Sequence, residues 1–293
     1  MRGNSILFHF PEYESLAKSV NKICNFLDGD FIIRKFPDGE SYLRLKSDVK
    51  GKDVYLLAGL DNPDLKSIPI MFFASLVKEN GARSVTLIAP YLGYLRQDKI
   101  FNEGEALTAA IFGKFLSGYI DCLITIDPHL HRIKSLGEIF SKKSKVLHAT
   151  NELGLWINKN VKNPFLIGPD EESRQWTQEV AKLSNIPFVI LKKSRQGDHE
   201  VTINFPDISQ FSKHTPVLID DIISSGATMI EAARILKELG MNSPIGIAVH
   251  GIFAQDSYQK LKNSPMAQIV TCNSIEHSTN QIDLSNLIAS ALL

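Results

Sequence analysis

A chain of 293 residues has room for one large domain or two of ordinary size, and a composition of 44% hydrophobic and 22% charged residues excludes a disordered polymer and requires a packed core. Lys+Arg and Asp+Glu both count 32, and a net charge of zero argues against a general nucleic-acid binder, which needs excess positive charge. Cys24, Cys122 and Cys272 are too scattered for a zinc knuckle or a redox pair and fit a reducing, cytoplasmic setting.

Met1-Arg2-Gly3-Asn4 runs straight into a strand-like segment, without the apolar core of a signal peptide, and no later apolar run has membrane-spanning length. Short apolar runs then alternate with amphipathic stretches. Strands are predicted at 5–8, 31–35, 53–57, 84–88, 122–126, 165–167, 187–192, 200–203, 216–219, 244–249 and 268–271. Helices are predicted over 13–27, 65–80, 107–116, 131–137, 172–184, 229–239, 257–263 and 283–291. The alternation predicts an α/β fold of mostly parallel sheets flanked by helices. Two halves repeat the order strand, amphipathic helix, strand, polar loop, helix, which suggests a duplication. The break between them is read near 148–164, after a Lys-rich turn at Lys142, Lys143 and Lys145.

The most informative segment is 217–228. An apolar strand ends in Asp220 and Asp221, small residues follow (Ser224, Ser225, Gly226, Ala227, Thr228), and a helix begins, with Ala232, Ile235, Leu236 and Leu239 on one face and Gly240 as its stop. Such a junction offers N–H groups, hydroxyls and a favourable dipole to a dianion. The two acids repel a phosphate but suit the hydroxyls of a ribose, or a metal, at the strand end where open α/β sheets place ligands. The competing reading is an ordinary turn with Ser and Thr caps. No Walker A sequence and no strand-linked G-x-G-x-x-G occurs, so neither a P-loop nor a dinucleotide site is expected.

Other segments add to this. The loop after the strand at 84–88 holds Tyr91, Tyr94, Arg96, Gln97, Asp98 and Lys99, where Arg96 can clamp a phosphate as a planar fork, unless the loop is a solvated surface turn. Phe36-Pro37-Asp38-Gly39-Glu40 reads as a turn carrying an aromatic face and acids suited to adenine. Asp127, His129 and His131 either ligate a cation or cap a helix beside solvated histidines. Asp170, Glu171 and Glu172 cap the next helix or hold a second cation. The basic run Lys192-Lys193-Ser194-Arg195 reads on its own as a solvated hairpin tip.

In this order, and over nearly the whole chain, the segments resemble the ribose-phosphate pyrophosphokinase (phosphoribosyl diphosphate synthetase) family, whose pattern continues through His250-Gly251-Ile252-Phe253. The resemblance implies two phosphoribosyltransferase-like domains. Residues 1–148 form the ATP side and 149–293 the ribose 5-phosphate side, with the last helix packing back on the first domain. It implies transfer of the diphosphoryl group of ATP to the 1-hydroxyl of ribose 5-phosphate, Mg²⁺ as cofactor, and a homodimer or a higher homo-oligomer built from dimers. Nucleic acid and membrane are not expected as partners. By the resemblance, Phe36, Asp38 and Glu40 form the adenine side of the ATP site, and Arg96, Gln97 and Asp98 also contact ATP. His129 and Asp170 match magnesium positions. Lys193 and Arg195 match the catalytic pair of a mobile loop. Asp220 and Asp221 match the acids that bind the ribose hydroxyls, and Ser224, Ser225, Gly226, Ala227 and Thr228 match the loop around the 5-phosphate.

Three departures stand out. Ala227 occupies a position where the family prefers Gly, and its Cβ disfavours a positive φ there. Glu171-Glu172-Ser173-Arg174 replaces smaller residues, which raises another sugar phosphate as the acceptor. Asp48 and Lys50 replace a Ser and an Arg that many bacterial members use near a regulatory phosphate. A catalytically silent, nucleotide-binding regulatory relative is the alternative from another class. Retention of Lys193, Arg195, His129 and Asp170 favours the enzyme.

Overall fold

The computed structural model describes residues 4–293 except 101, 131, 172, 197–199 and 205, with backbone alone at 175, 192–196 and 200–204. The chain divides into two compact units, Met1–Leu147 with Ser285–Leu293, and His148–Leu284.

In the first unit, β1 (Ser5–His9) leads to α1 (Glu14–Cys24), which buries Leu16, Ala17, Val20 and Cys24 along one stripe. The sequence pattern carried this helix to residue 27. It stops sooner because Asn25 turns left-handed at φ 55°, freeing β2 (Leu27–Asp28) to join the sheet edge. Next, β3 (Phe31–Lys35) and β4 (Ser41–Leu45) form a separate antiparallel ribbon. The strand at 31–35 was correctly expected, but it lies outside the six-stranded sheet. The unit continues through β5 (Asp53–Leu57), α2 (Pro63–Glu79), β6 (Ser84–Ala89), α3 (Thr108–Ser117), β7 (Cys122–Ile126) and β8 (Lys143–Leu147). The sheet order is β2-β1-β5-β6-β7-β8, parallel throughout. Two expectations fail here. The helix expected at 131–137 is one 3-10 turn at Leu136–Glu138, and the Lys-rich turn is the edge strand β8. Exposed lysines are common on edge strands because they discourage further pairing.

The second unit begins with α4 (Thr150–Asn160), where the sequence suggested a break between halves. Its buried face is Thr150, Leu153, Gly154 and Ile157, and a Cβ on Gly154 would collide with Ser184 of the neighbouring helix. The elements that follow are β9 (Pro164–Gly168), α5 (Arg174–Ser184), β10 (Phe188–Ile190), β11 (Lys192–Gln196), β12 (Glu200–Asn204), β13 (Thr215–Ile223), α6 (Ala227–Glu238), β14 (Ile245–Gly251), α7 (Ser257–Lys262), β15 (Gln268–Cys272) and β16 (Asn280–Ile282). The sheet order is β10-β9-β13-β14-β15-β16, again all parallel, with β11 and β12 as a separate antiparallel ribbon. Both units therefore share one topology. Each has six parallel strands in the order second, first, third to sixth, with a ribbon inserted after the second. The helix α6 buries Met229, Ala232, Ala233 and Leu236, so its inner stripe starts one turn earlier than the sequence suggested and leaves Leu239 exposed.

The chain then returns to the first unit as α8 (Ser285–Leu292), which packs on α1 and β8 and buries Ile288 and Ala289.

Candidate active site

The acids of β13 are positioned by unequal neighbours. Pairing with β9 ends at Leu218, whereas β14 follows β13 as far as Ile223. Asp220 and Asp221 thus lie on the strand's last turns, flanked on one side only. The sequence ended this strand at 219; the register shows that both acids are still part of it. Asp220 Oδ1 accepts the N–H of Asp221 at 3.0 Å. Burial, then the charge of Asp221, then that of Asp170 push the Asp220 carboxyl well above the usual carboxylate range. Three acids predicted to serve the site are therefore within electrostatic reach of one another. Such a cluster favours a hydroxyl-bearing ligand or a cation.

Asp170 is held at the end of β9. Its Oδ1 accepts the N–H of Ser173 at 3.0 Å, and the Ser173 hydroxyl donates to its carbonyl at 2.7 Å. In the altered segment that follows, Glu171 pairs with Arg174, the first residue of α5. Those two charges satisfy each other locally. Glu172 lies outside the described residues.

Backbone geometry resolves the question raised by Ala227. The residue with positive φ is Gly226, at 69°, and it caps α6; Ala227 is the first residue of the helix and needs no unusual conformation. The concern about its Cβ is thus corrected. Gly226 brings no capping side chain, and no acid occupies the first turn, so the positive end of α6 is open to an anion. The junction is tied down from the next loop. The N–H groups of Ile252 and Phe253 donate to Ile223 O at 3.0 and 3.1 Å, and that of Ala254 donates to Ser224 O at 3.1 Å. Leu261 of α7 lies directly against Gly226. Phe253 itself is left-handed (φ 47°) and packs against Tyr258 and His277, with ring centroids 5.2 and 4.4 Å away. Leu261, Tyr258 and His277 gave no sequence signal, because their role exists only once α7 and β15 are in place.

The topologically equivalent junction of the first unit, from β5 into α2, is built to refuse an anion. Pro63 removes an N–H at the helix start and Asp64 puts an acid in the first turn. Lys66 there is occupied by Glu12 at 2.7 Å and Asp61 at 2.8 Å.

The first unit carries its candidates on other loops. The ribbon tip at 36–40 closes through Phe36 N–H to Glu40 O (2.8 Å) and Gly39 N–H to Phe36 O (2.9 Å), with Gly39 at φ 94°. Asp38 Oδ1 accepts the Glu40 N–H at 3.1 Å, so this acid shapes the turn. Phe36 is 39% exposed. The Arg34 guanidinium lies over Phe36 at 4.8 Å and over the cross-strand Tyr42 at 4.2 Å, and the rings of Phe36 and Tyr42 meet edge-on at 5.8 Å. Neither Arg34 nor Tyr42 was singled out in the sequence, although the i, i+2 spacing of Arg34 and Phe36 on a strand was a usable sign.

After β6, Arg96 is exposed and Gln97 half-buried, its Oε1 accepting the Thr108 hydroxyl at 3.3 Å. Asp98 is different. Its side chain is 1% exposed and binds Arg132, Oδ1 to Nη1 at 3.0 Å and Oδ2 to the backbone N–H at 3.1 Å. After β7, Asp127 is buried in a left-handed conformation (φ 37°), its N–H bonded to Leu147 O, and His129 is half-buried. His131 lies outside the described residues. Lys193 and Arg195 fall in β11, and their side chains lie outside the described residues. Among the described residues, no three His, Cys, Asp or Glu side chains form a complete cation-binding group.

Comparisons with known proteins point to one family. Residues 5–119 match the model of the N-terminal domain of ribose phosphate pyrophosphokinase, and residues 138–285 match the phosphoribosyl transferase domain. A ribose-phosphate pyrophosphokinase of Sulfurisphaera tokodaii is 34% identical over 261 residues, 87% of this chain and 88% of that relative. That of Sulfolobus acidocaldarius is 32% identical over 262 residues, again 87% and 88% of the two chains. The crystal structure of phosphoribosylpyrophosphate synthetase from Mycobacterium smegmatis has the same fold. It superimposes with a TM-score of 0.85 at 22% identity, over 99% of this chain and 97% of that one.

Proposed function

The chain belongs to the ribose-phosphate pyrophosphokinase family, and from that premise we propose how its residues divide the work. The reaction moves the diphosphoryl group of ATP to the 1-hydroxyl of ribose 5-phosphate. A bond forms between that oxygen and the β-phosphorus, the bridge between the α- and β-phosphates breaks, the hydroxyl proton is lost, and AMP leaves.

One observation carries the reading of the sugar site: an acid pair on β13 runs directly into a Gly-capped, acid-free helix start. Asp220 and Asp221 accept hydrogen bonds from the ribose hydroxyls. The first turn of α6, with Ser224, Ser225 and Thr228, takes the 5-phosphate, and Gly226 and Ala227 supply backbone N–H groups. This arrangement fixes the 1-hydroxyl for in-line attack, and much of the barrier is lowered by such alignment. Phe36 offers its exposed face to adenine, steadied by Arg34 and Tyr42, and Asp38 and Glu40 rim that side. Arg96 and Gln97 face the nucleotide. Lys193 and Arg195, assigned through the family pattern, stabilise charge on the transferred group.

His129 would hold Mg²⁺ at one site and Asp170 at a second, and the acid cluster around Asp170 has the oxygen donors and surplus negative charge such an ion requires. When bound, the ion supplies charge neutralisation at the phosphoryl oxygens. A homodimer, or an assembly of dimers, fits the exposed apolar stripe Leu65, Ile68 and Phe72 on α2. A cytoplasmic location fits the three free cysteines. Among the described residues no helix is long and apolar enough to cross a membrane.

The test is direct. The protein is mixed with ATP, Mg²⁺ and ribose 5-phosphate, and AMP and phosphoribosyl diphosphate are measured. AMP with another pentose phosphate but not with ribose 5-phosphate would reassign the acceptor. No AMP with any acceptor would leave a nucleotide-binding regulatory relative.

A further inference from the structure

The family pattern makes Asp98 an ATP contact, but the structure gives its carboxylate another task. A side chain 1% exposed, with both oxygens accepting from Arg132, has no free face for a nucleotide. The two partners sit on different loops, Asp98 after β6 and Arg132 after β7, and those strands are neighbours in the sheet. One bond holds the Arg132 side chain and the other holds its backbone, so the attachment fixes the path of the main chain. The loop is also fixed at its start, where the Asp127 N–H donates to Leu147 O of β8 at 2.9 Å. His129 lies between these two anchors.

We propose that Asp98 is a positioning residue. With Arg132 it clamps the segment carrying His129 to the segment carrying Arg96, so that a metal-binding side chain and a phosphate-binding side chain are held as one unit. This rests on the roles given above to Arg96 and His129. A buried carboxylate that loses its cation partner is strongly disfavoured, so the clamp holds the loop in one arrangement before any ligand arrives.

The experiment uses the full chain and the variants Asp98→Asn, Arg132→Ala, Arg132→Lys and the Asp98→Asn/Arg132→Ala pair. Amide hydrogen exchange is followed over 127–133 without ligands, and steady-state rates are measured against Mg²⁺, ATP and ribose 5-phosphate. Asp98→Asn and Arg132→Ala are expected to speed exchange in that segment and in the loop carrying Arg96 and Asp98, and not elsewhere. They are also expected to lower kcat, or raise the half-saturating Mg²⁺ concentration, by about 10–100-fold, as for residues that orient metal ligands. KM for ribose 5-phosphate stays within about twofold, and the double variant is no worse than Asp98→Asn, because two residues acting as one unit are not additive. Arg132→Lys, which keeps the charge beside Asp98, recovers part of the loss. Unchanged exchange over 127–133, or a rise in KM for ATP alone, would overturn the proposal. If Asp98→Asn does not fold, the two Arg132 variants carry the same test. If the wild-type chain makes no AMP, the functional reading fails while the exchange data still decide whether the clamp exists.

Discussion

Consider replacing Gly226 by Ala. The residue sits at φ 69°, a conformation that costs an L-residue roughly 1–2 kcal/mol. The added Cβ would also lie 2.8 Å from Leu261 Cδ1 and 2.9 Å from its Cγ. Leu261 is fully buried in the core of its unit, so it has little room to retreat, and overpacking of this kind costs about 1–3 kcal/mol. The sum is roughly 2–5 kcal/mol, and at about 2–4 °C per kcal/mol the melting midpoint drops by about 4–20 °C. The same strain moves the loop at 224–228, so KM for ribose 5-phosphate rises. The control is Ala227→Gly, the residue the family prefers. It removes a methyl from a helix start and costs up to about 1 kcal/mol, with KM for ribose 5-phosphate nearly unchanged. Calorimetry and steady-state kinetics on both variants check this. A Gly226→Ala protein as stable as wild type, or an Ala227→Gly protein with clearly tighter ribose 5-phosphate binding, would show that the strain has been assigned to the wrong residue.

Asp220→Asn keeps an oxygen for the Asp221 N–H but removes a charge from the acid cluster. The native carboxyl titrates above the unfolded one, so its stabilisation is present at acid pH and is lost as pH rises through the native value. The variant is therefore more stable than wild type at pH 8 by about 0.5–2 kcal/mol, with the difference shrinking toward pH 4, while activity falls; thermal melts at both pH values read the sign. Arg34→Ala removes the cation stacked on Phe36 and Tyr42, a contact worth about 0.5–1 kcal/mol at an exposed site. KM for ATP should rise by up to about fivefold with kcat little changed, and an unchanged KM would remove Arg34 from the adenine side. Lys193→Ala should lower kcat by about 10²–10³, as for loss of a transition-state donor; near-normal turnover would refute its role. Ile288→Ala on α8 deletes a fully buried side chain and costs about 2–4 kcal/mol of stability, read by denaturant unfolding.

Local signals made much of the site legible. The β13–α6 junction announces itself within a dozen residues, because an apolar run, two acids, small residues and an amphipathic helix each have a physical reason to follow the last. The ribbons were less visible. The segment 31–35 has strand composition, but nothing in it says that it pairs only with β4. The helix α4 was hidden by its asparagines and Gly154, which read as loop until the close approach of Ser184 explains the glycine. The partnership of Asp98 and Arg132 spans 34 positions and two loops, so no periodicity could reveal it. The same is true of Leu261 under Gly226.

The return of α8 to α1 has a consequence for synthesis. Translation usually lets the first domain fold first, but here the unit that begins the chain lacks a piece until Ser285–Leu293 has been made. At about 5–20 residues per second the ribosome needs roughly seven to thirty seconds to deliver the intervening unit. Through that interval the surface of α1 around Cys24, later covered by Ala289, is open to water and to chaperones. The unit started second is thus the first that can close, and the unit started first is completed by the last helix described.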